Sequence, residues 1–381
     1  MPGQAAIEPR RPRAWLARWQ AWRDRLVGTP EFRRRALNFA LGRWMARRSA
    51  RELFDLMAGF VYSQVLLACV SLHLFDRLRD GPLGLAALAE QSAVPAEAMS
   101  RLLDAAVALR LLERRGSALY GLGSLGAAMV DNLPLAAMVE HHAALYADLA
   151  DPVALLRGRA DDRALAGFWP YAGAASPRQL VAGQVADYSS LMSASQPLVA
   201  EEVLHAYPIE GHRCLMDVGG GEGVFLETAA RRAAGLRLVL FDLPAVAQRA
   251  HARFQALGLS DRASAIGGDF LRDRLPVGAD VISLVRVVHD QDDAGAQALL
   301  RASHAALPPG GVLLLAEPMA ATPGAQAMGD AYFGLYLLAM GRGKPRTAAE
   351  LTQRLLAAGF AQVQQRATRI PLQTSLLVAS R

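Results

Sequence analysis

From Gly211 onward, short apolar runs alternate with stretches of helical periodicity, and this alternation narrows the possible folds more than any other feature of the chain. The runs are residues 214–218, 236–241, 263–266, 281–285 and 312–316. Each is mostly apolar, which suits a strand covered on both faces, and the intervening helical patterns would supply the cover. The expected architecture is a doubly wound α/β domain around a parallel sheet. Two last runs, 362–366 and 375–379, are expected to close that sheet as an antiparallel edge hairpin.

The first run leads straight into Asp217-Val218-Gly219-Gly220-Gly221-Glu222-Gly223, followed by a helical segment. Glycine lacks a Cβ, so such a loop lets the main chain turn sharply and come close to an adenosyl cofactor. Asp242 follows the second run, where a ribose-binding acid belongs. A dinucleotide fingerprint would need G-x-G-x-x-G, with the pyrophosphate on the helix N-terminus. Here Gly219, Gly221 and Gly223 read G-x-G-x-G, and Val224 and Leu226 stand where the third glycine would be needed. S-adenosylmethionine carries no phosphate but has a cationic sulfonium and an amino group, which suits an acid, Asp217, beside the loop. Taken alone, the glycines also fit a tight structural strand-to-helix turn.

At 381 residues the chain can bury a large core and is expected to form more than one domain. Its net charge of +6 is unevenly placed. Residues 1–51 hold 13 arginines against Glu8, Asp24 and Glu31, a net +10, which leaves −4 for the remainder. Trp15, Trp19, Trp22 and Trp44 lie in the same segment, which lacks the uninterrupted apolar core of a secretory signal. Residues 1–51 are expected to form an amphipathic helical arm, suited either to peripheral contact with an anionic bilayer or to packing on a dimer partner. Residues 56–72 carry no formal charge and are expected to form a buried interdomain or dimer helix rather than a membrane span. Cys69 and Cys214 sit in apolar runs and read as reduced core thiols of a cytoplasmic protein, and no metal cluster is expected.

Residues 81–132 read as a winged-helix unit, with short helices, a turn at Val94-Pro95 and two short strands around Gly116-Ser117. The helix that would read DNA carries only Arg101 and Arg110, too little to anchor phosphates. A dimer-forming use is expected, with no nucleic-acid partner.

Polar residues close each of the main strands. Asp217, Asp242, Asp269-Phe270, His289-Asp290 and Glu317 follow the successive runs, at the carboxyl ends where open α/β sheets bind ligands. Each has a structural explanation of its own as a cap, a core histidine or a loop acid, but a shared rim favours a site. His289 alone among them has an ordinary pKa suited to proton transfer near neutrality.

Together, Asp217–Gly223, Phe241-Asp242-Leu243-Pro244, Gly267-Gly268-Asp269-Phe270, Val287-Val288-His289-Asp290 and Gly341-Arg342-Gly343-Lys344-Pro345-Arg346-Thr347 resemble the ordered motifs of two-domain S-adenosylmethionine-dependent O-methyltransferases. The resemblance covers about residues 50–381. It implies a Rossmann-like methyltransferase domain, 201–381, preceded by a mostly helical winged-helix domain, 52–200, that dimerises and covers the acceptor. By the same resemblance, Asp217, Gly219, Gly221 and Gly223 would cradle the methionine part of S-adenosylmethionine. Asp242 with Leu243 would bind the ribose, and Asp269 with Phe270 the adenine, while Arg286 and Ser195 would complete the cofactor side. Tyr188, Met192, Phe168, Trp169, Phe333, Tyr336 and Met340 would face a hydrophobic acceptor, with Tyr171 near them.

The implied reaction is displacement at the sulfonium methyl, with His289 as general base, Glu317 accepting from the other ring nitrogen, Asp290 beside them, and no metal. One departure stands out. Where members of the family that methylate phenols usually carry a second glutamate, this chain has Pro345. Within the family it resembles the branch that acts on hydroxylated acyclic carotenoids, which implies a polyene alcohol as acceptor and a homodimer at or near a membrane. The alternatives are carbon methylation of a bacteriochlorophyll-type ring, O-methylation of a small aromatic, and a non-catalytic or DNA-binding relative.

Overall fold

The computed structural model describes residues 14–159, 163–169 and 182–381. Residues 1–13 of the expected arm, and Tyr171, therefore lie outside the described residues. By its contacts the chain divides into two units, Met1–Ala127 and Ala128–Arg381.

The first unit begins with helices Ala14–Gly28, Pro30–Ala36 and Ala40–Ser71. Among the described side chains from Trp15 to Ala68, none is buried. The helix expected to be buried thus hides only Cys69 and Val70 within this single chain, and Leu56 is 81% exposed. Helix Ala40–Ser71 is long and apolar enough to cross a membrane by length and composition. Beyond it come helices Leu74–Arg77, Leu85–Gln91 and Ala96–Ala108, with strands β1 (Leu83–Gly84), β2 (Leu112–Arg115) and β3 (Leu119–Leu122). The strands pair antiparallel in the order β1-β3-β2. Met99, Leu103 and Ala106 recur at helical spacing and are fully buried, so that helix Ala96–Ala108 closes the small core with Leu74, Leu88 and Leu112. This is the winged-helix arrangement the turn residues announced.

In the second unit a seven-stranded sheet runs β6-β5-β4-β7-β8-β10-β9. Its strands are β4 (Cys214–Val218), β5 (Arg237–Asp242), β6 (Ala263–Gly267), β7 (Val281–Val285), β8 (Val312–Glu317), β9 (Gln362–Arg366) and β10 (Ser375–Ser380). β4 to β8 are parallel, while β10 lies antiparallel to both β8 and β9, as the edge hairpin required. β4 and β7 are buried along their whole length, which explains their continuous apolar character. Alternate residues serve opposite faces: Leu215, Leu240, Leu314 and Leu376 pack on one side, and Met216, Ile282, Leu313 and Leu377 on the other. By contacts, the division between the units lies at Ala127/Ala128. Helix Ala182–Ala206 packs on helices Leu133–Asp148, Val224–Arg232 and Pro244–Ala256, so the intervening helices belong with the sheet.

Strand order reverses between β4 and β7, which opens a crevice at their carboxyl ends. Helix Val224–Arg232 starts there at Gly223, whose φ of 81° lies in the left-handed region. A Cβ at Gly223 would stand 2.6 Å from the Phe254 ring, inside the core. Gly223→Ala is therefore expected to lower the unfolding free energy by roughly 2–4 kcal/mol, through left-handed strain plus overpacking. Denaturant titration checks this as a lower midpoint with an unchanged slope.

Candidate active site

The crevice holds a cavity of about 270 Å³ whose wall includes Gly219, Gly220, Gly221, Asp242, Leu243, Asp269, Phe270 and Arg286. The loop is shaped by its own hydrogen bonds. Gly219 N–H donates to Phe241 O at 2.8 Å, and Gly221 N–H donates to Asp242 Oδ2 at 2.8 Å. Leu243 N–H donates to Asp242 Oδ1 at 2.7 Å, so this carboxylate is aimed by two amides and keeps a lone pair on each oxygen for a ligand hydroxyl. Burial raises Asp242 to about 6, against the pull of those amides. Asp269 lies at the next strand end, where its Oδ1 accepts from Leu271 N–H at 2.9 Å.

Asp217 takes a different place from the one expected. It is fully buried and is not among the residues lining the cavity; it lies against the loop, where a Cβ at Gly220 would collide with its carboxyl group. Its Oδ1 accepts from Ser283 Oγ at 2.6 Å, while Oδ2 is buried without a hydrogen-bond partner. Burial pushes the group up to about 7. A carboxyl group poised to ionise close to the loop is suited to a ligand that brings positive charge.

Arg286, in left-handed conformation at φ 61°, donates to Ser195 Oγ at 2.9 Å and holds helix Ala182–Ala206 by that bond. Arg286 and Met192 line the cavity, and Ser195 does not. Tyr188 lies on the same helix, and its side chain is outside the described residues.

At the other end the wall is made by Asp290, Gln291, Met340 and Trp169. His289 is 3% exposed and is not part of that wall. Its Nε2 stands 3.1 Å from Asp290 Oδ1 without hydrogen-bond alignment, and its Nδ1 has no partner. Glu317 meets His289 through the main chain, because its Oε2 accepts from His289 N–H at 2.9 Å. The expected bond from Glu317 to a ring nitrogen is absent, since the register of β7 on β8 puts the Glu317 carboxylate beneath the loop amide. Glu317 Oε1 and Gln291 Oε1 are likewise buried and unpaired.

Burial and the Arg286 and Arg346 cations hold the His289 imidazole down at about 3. Burial raises Glu317 to about 7, and burial together with Glu317 raises Asp290 well above the usual carboxylate range. The His289 ring is therefore neutral at rest, beside a carboxyl group whose proton is held more tightly than usual. The segment with Pro345 brings no acid here but an arginine. Arg346, 1% exposed, donates to Val288 O at 3.0 Å, to Gln291 O at 2.8 Å and to Asp293 Oδ1 at 2.9 Å, and so clamps the loop that carries His289.

Behind Trp169 and Met340 lies an aromatic cluster. A π-helical turn, Ala327–Tyr332, leads into helix Phe333–Met340, and the rings of Tyr332 and Tyr336 stack 5.6 Å apart. Phe333 lies 5.6 Å from the His289 ring, and Phe168 lies 4.4 Å from His141. His141 Nε2 is 2.8 Å from Tyr336 Oη, and His142 Nε2 is 2.8 Å from Tyr332 Oη. Trp169 Nε1–H also donates to Tyr336 Oη, at 3.3 Å. Sequence reasoning missed this pair of histidines. Their signal was the polar run Glu140-His141-His142 in the middle of the mostly apolar helix Leu133–Asp148. It also assigned no role to Ser283, Gln291 or Arg346, although Arg346 lies within the motif from Gly341 to Thr347.

A parallel sheet reversing at a glycine loop, with a ribose-type acid on the second strand and an antiparallel hairpin at one edge, is the fold of a class I S-adenosylmethionine-dependent methyltransferase. Family models describing an O-methyltransferase dimerisation domain and an O-methyltransferase domain match residues 54–132 and 146–361, and the chain belongs to that O-methyltransferase family. It is 43% identical over 342 residues to the demethylspheroidene O-methyltransferase of Cereibacter sphaeroides, covering 89% of each chain. Identity to the Rhodobacter capsulatus enzyme of the same name is 42%, over 88% of this chain and 84% of that one. The human N-acetylserotonin methyltransferase, solved with S-adenosylmethionine, superposes with a TM-score of 0.72 at 25% identity, over 87% of this chain and 97% of that one.

S-adenosylmethionine is the cofactor, and when bound it supplies an electrophilic methyl group on a cationic sulfur. The residues fit it: side-chain-free backbone at Gly219 to Gly221, open lone pairs on Asp242, and a buried carboxylate oxygen on Asp217 without a partner.

Folded Asp217 holds its proton up to about 7, against 3.8 as its ordinary value. That contribution to stability is full below about pH 4 and is lost as the pH rises to about 7. In the cofactor-free enzyme, the parent is expected to lose stability relative to Asp217→Asn between about pH 4 and about pH 7, by up to about 1.4 kcal/mol for each pH unit crossed. Parallel stability profiles in denaturant would contradict it.

Proposed function

We propose that the protein methylates a hydroxyl group of a hydroxylated acyclic carotenoid of the demethylspheroidene type, with His289 as general base. The identity to two demethylspheroidene O-methyltransferases along most of the chain carries the choice of acceptor. The site's chemistry is compatible with it. Trp169, Met192 and Met340 give the cavity an apolar, flat-sided end beside Asp290, which suits a polyene terminus bearing one hydroxyl group. Phe168, Phe333 and Tyr336 back that end.

An alcohol is a poor nucleophile while protonated. The hydroxyl oxygen takes the methyl group, and its proton passes to His289; burial and two arginines keep that ring neutral at rest but make it a weak base, so the transfer depends on the acids beside it taking up the charge that forms. The imidazolium that forms meets Asp290, 3.1 Å from Nε2, and Glu317, which fixes the His289 backbone. With Pro345 in place of a second glutamate, Asp290 is the acid nearest the ring, and it faces the cavity as well.

The assembly belongs to the same proposal. Residues 52–200 would dimerise and cover the acceptor, with Phe54, Leu56, Met57 and Phe60 as the exposed face for a second copy, and 201–381 would hold the cofactor. Cys69 and Cys214 are buried and free, as suits the reducing cytoplasm. A polyene alcohol resides in a bilayer, so peripheral membrane contact through residues 1–51 completes the picture.

Transfer of labelled methyl to a panel of hydroxylated carotenoids, chlorophyllides and phenols is expected to favour the carotenoids. Preference for a phenol or for a ring carbon would overturn the acceptor. His289→Ala is expected to lower turnover by about a hundredfold or more, with S-adenosylmethionine binding by calorimetry unchanged. Near-normal turnover would remove His289 from the role of base.

A further inference from the structure

We propose that residues 14–51 form a docking surface for an anionic lipid bilayer, with the tryptophans set at the headgroup boundary and the arginines on lipid phosphates. At about 100° per residue, Trp15, Trp19, Trp22 and Leu26 fall within roughly 60° of one another on helix Ala14–Gly28. Arg18 and Arg25 border this stripe on one side and Arg23 on the other, while Gln20 and Asp24 point away from it. The three tryptophans are 60%, 50% and 57% exposed, a state that a single chain in water does not favour for so much contiguous aromatic surface. Next along the chain, Phe39, Leu41, Trp44 and Met45 are exposed among Arg43, Arg47 and Arg48.

Charge selects the occupant. Between residues 14 and 51 there are ten arginines against Asp24 and Glu31, a net +8. A second copy pairing this surface with itself would set one such field against another, as a two-fold interface places like on like. Residues 52–72 reverse the sign, with Glu52 and Asp55 and no lysine or arginine. The family's dimerisation domain begins at residue 54, at this change of charge. The apolar face from Phe54 to Phe60 thus suits a second copy, and the surface before it suits phosphodiester headgroups. Arg23 over Trp19 at 5.6 Å and Arg48 over Trp44 at 5.9 Å show the side-by-side cation and ring that an interfacial helix presents.

The docking deepens the membrane contact included in the proposed function and is tested without any acceptor, so its failure and that of the methyl transfer are told apart. Full-length protein is floated with vesicles of phosphatidylcholine alone and of phosphatidylcholine mixed with phosphatidylglycerol. Binding to the anionic vesicles is expected to exceed binding to the neutral ones by about tenfold or more and to weaken as salt is raised. The triple variant Trp15→Ser, Trp19→Ser, Trp22→Ser and the double variant Arg18→Glu, Arg25→Glu are each expected to lose most of it. Both should keep S-adenosylmethionine affinity and the parent's sedimentation coefficient, which shows that they fold and assemble. Equal binding to both vesicle types, or undiminished binding by the triple variant, would overturn the proposal. So would a parent that stays with neither vesicle while the triple variant sediments as a smaller species, because a second copy would then cover the tryptophans.

Discussion

The carboxyl group of Asp217 is held out of water beneath a loop that comes so near it that no side chain fits at Gly220, and the ligand crevice depends on that approach. The group stays in place because Ser283, on the neighbouring β7, donates to it across the line where strand order reverses. Loop, acid and crevice are therefore one packed unit. An unpaired oxygen kept in such a place costs stability, and a cationic cofactor over the loop is the natural compensation.

The same logic runs through the other end of the cavity. His289, Asp290 and Glu317 are crowded into a small volume with little water, and burial drives all three toward their neutral forms. Arg346 and the main chain of Lys344 hold the loop from the far side, with Lys344 N–H donating to His289 O at 2.9 Å. The segment that carries Pro345 serves here as a cationic clamp. A ring held this far down is a weak base, so any proton it takes up would have to be matched by ionisation of the acids beside it.

In the first unit the unmet demand is hydrophobic rather than electrostatic. A long stretch of helix hides no described side chain before Cys69, yet it changes sign of charge at Arg51-Glu52. Two surfaces of different character follow from one run of chain, and each needs something outside the chain to cover it.

Elements and rim were legible in the sequence. Strand identity follows from local periodicity, so the apolar runs match β4 to β10 to within a residue or two, and the spacing of Gly219, Gly221 and Gly223 already favoured S-adenosylmethionine over a dinucleotide. Asp242, Asp269, His289 and Glu317 stood at strand ends because strands end where the apolar pattern stops. What only the tertiary structure decided is which atoms meet. Asp217 packs against the loop and leaves the cavity wall to the glycines, Glu317 accepts from a backbone amide in place of an imidazole, and His141 and His142 pair with tyrosines nearly two hundred residues away. Those contacts are set by strand register and helix packing between distant segments, and a local pattern specifies which face a residue takes but not the partner waiting on it.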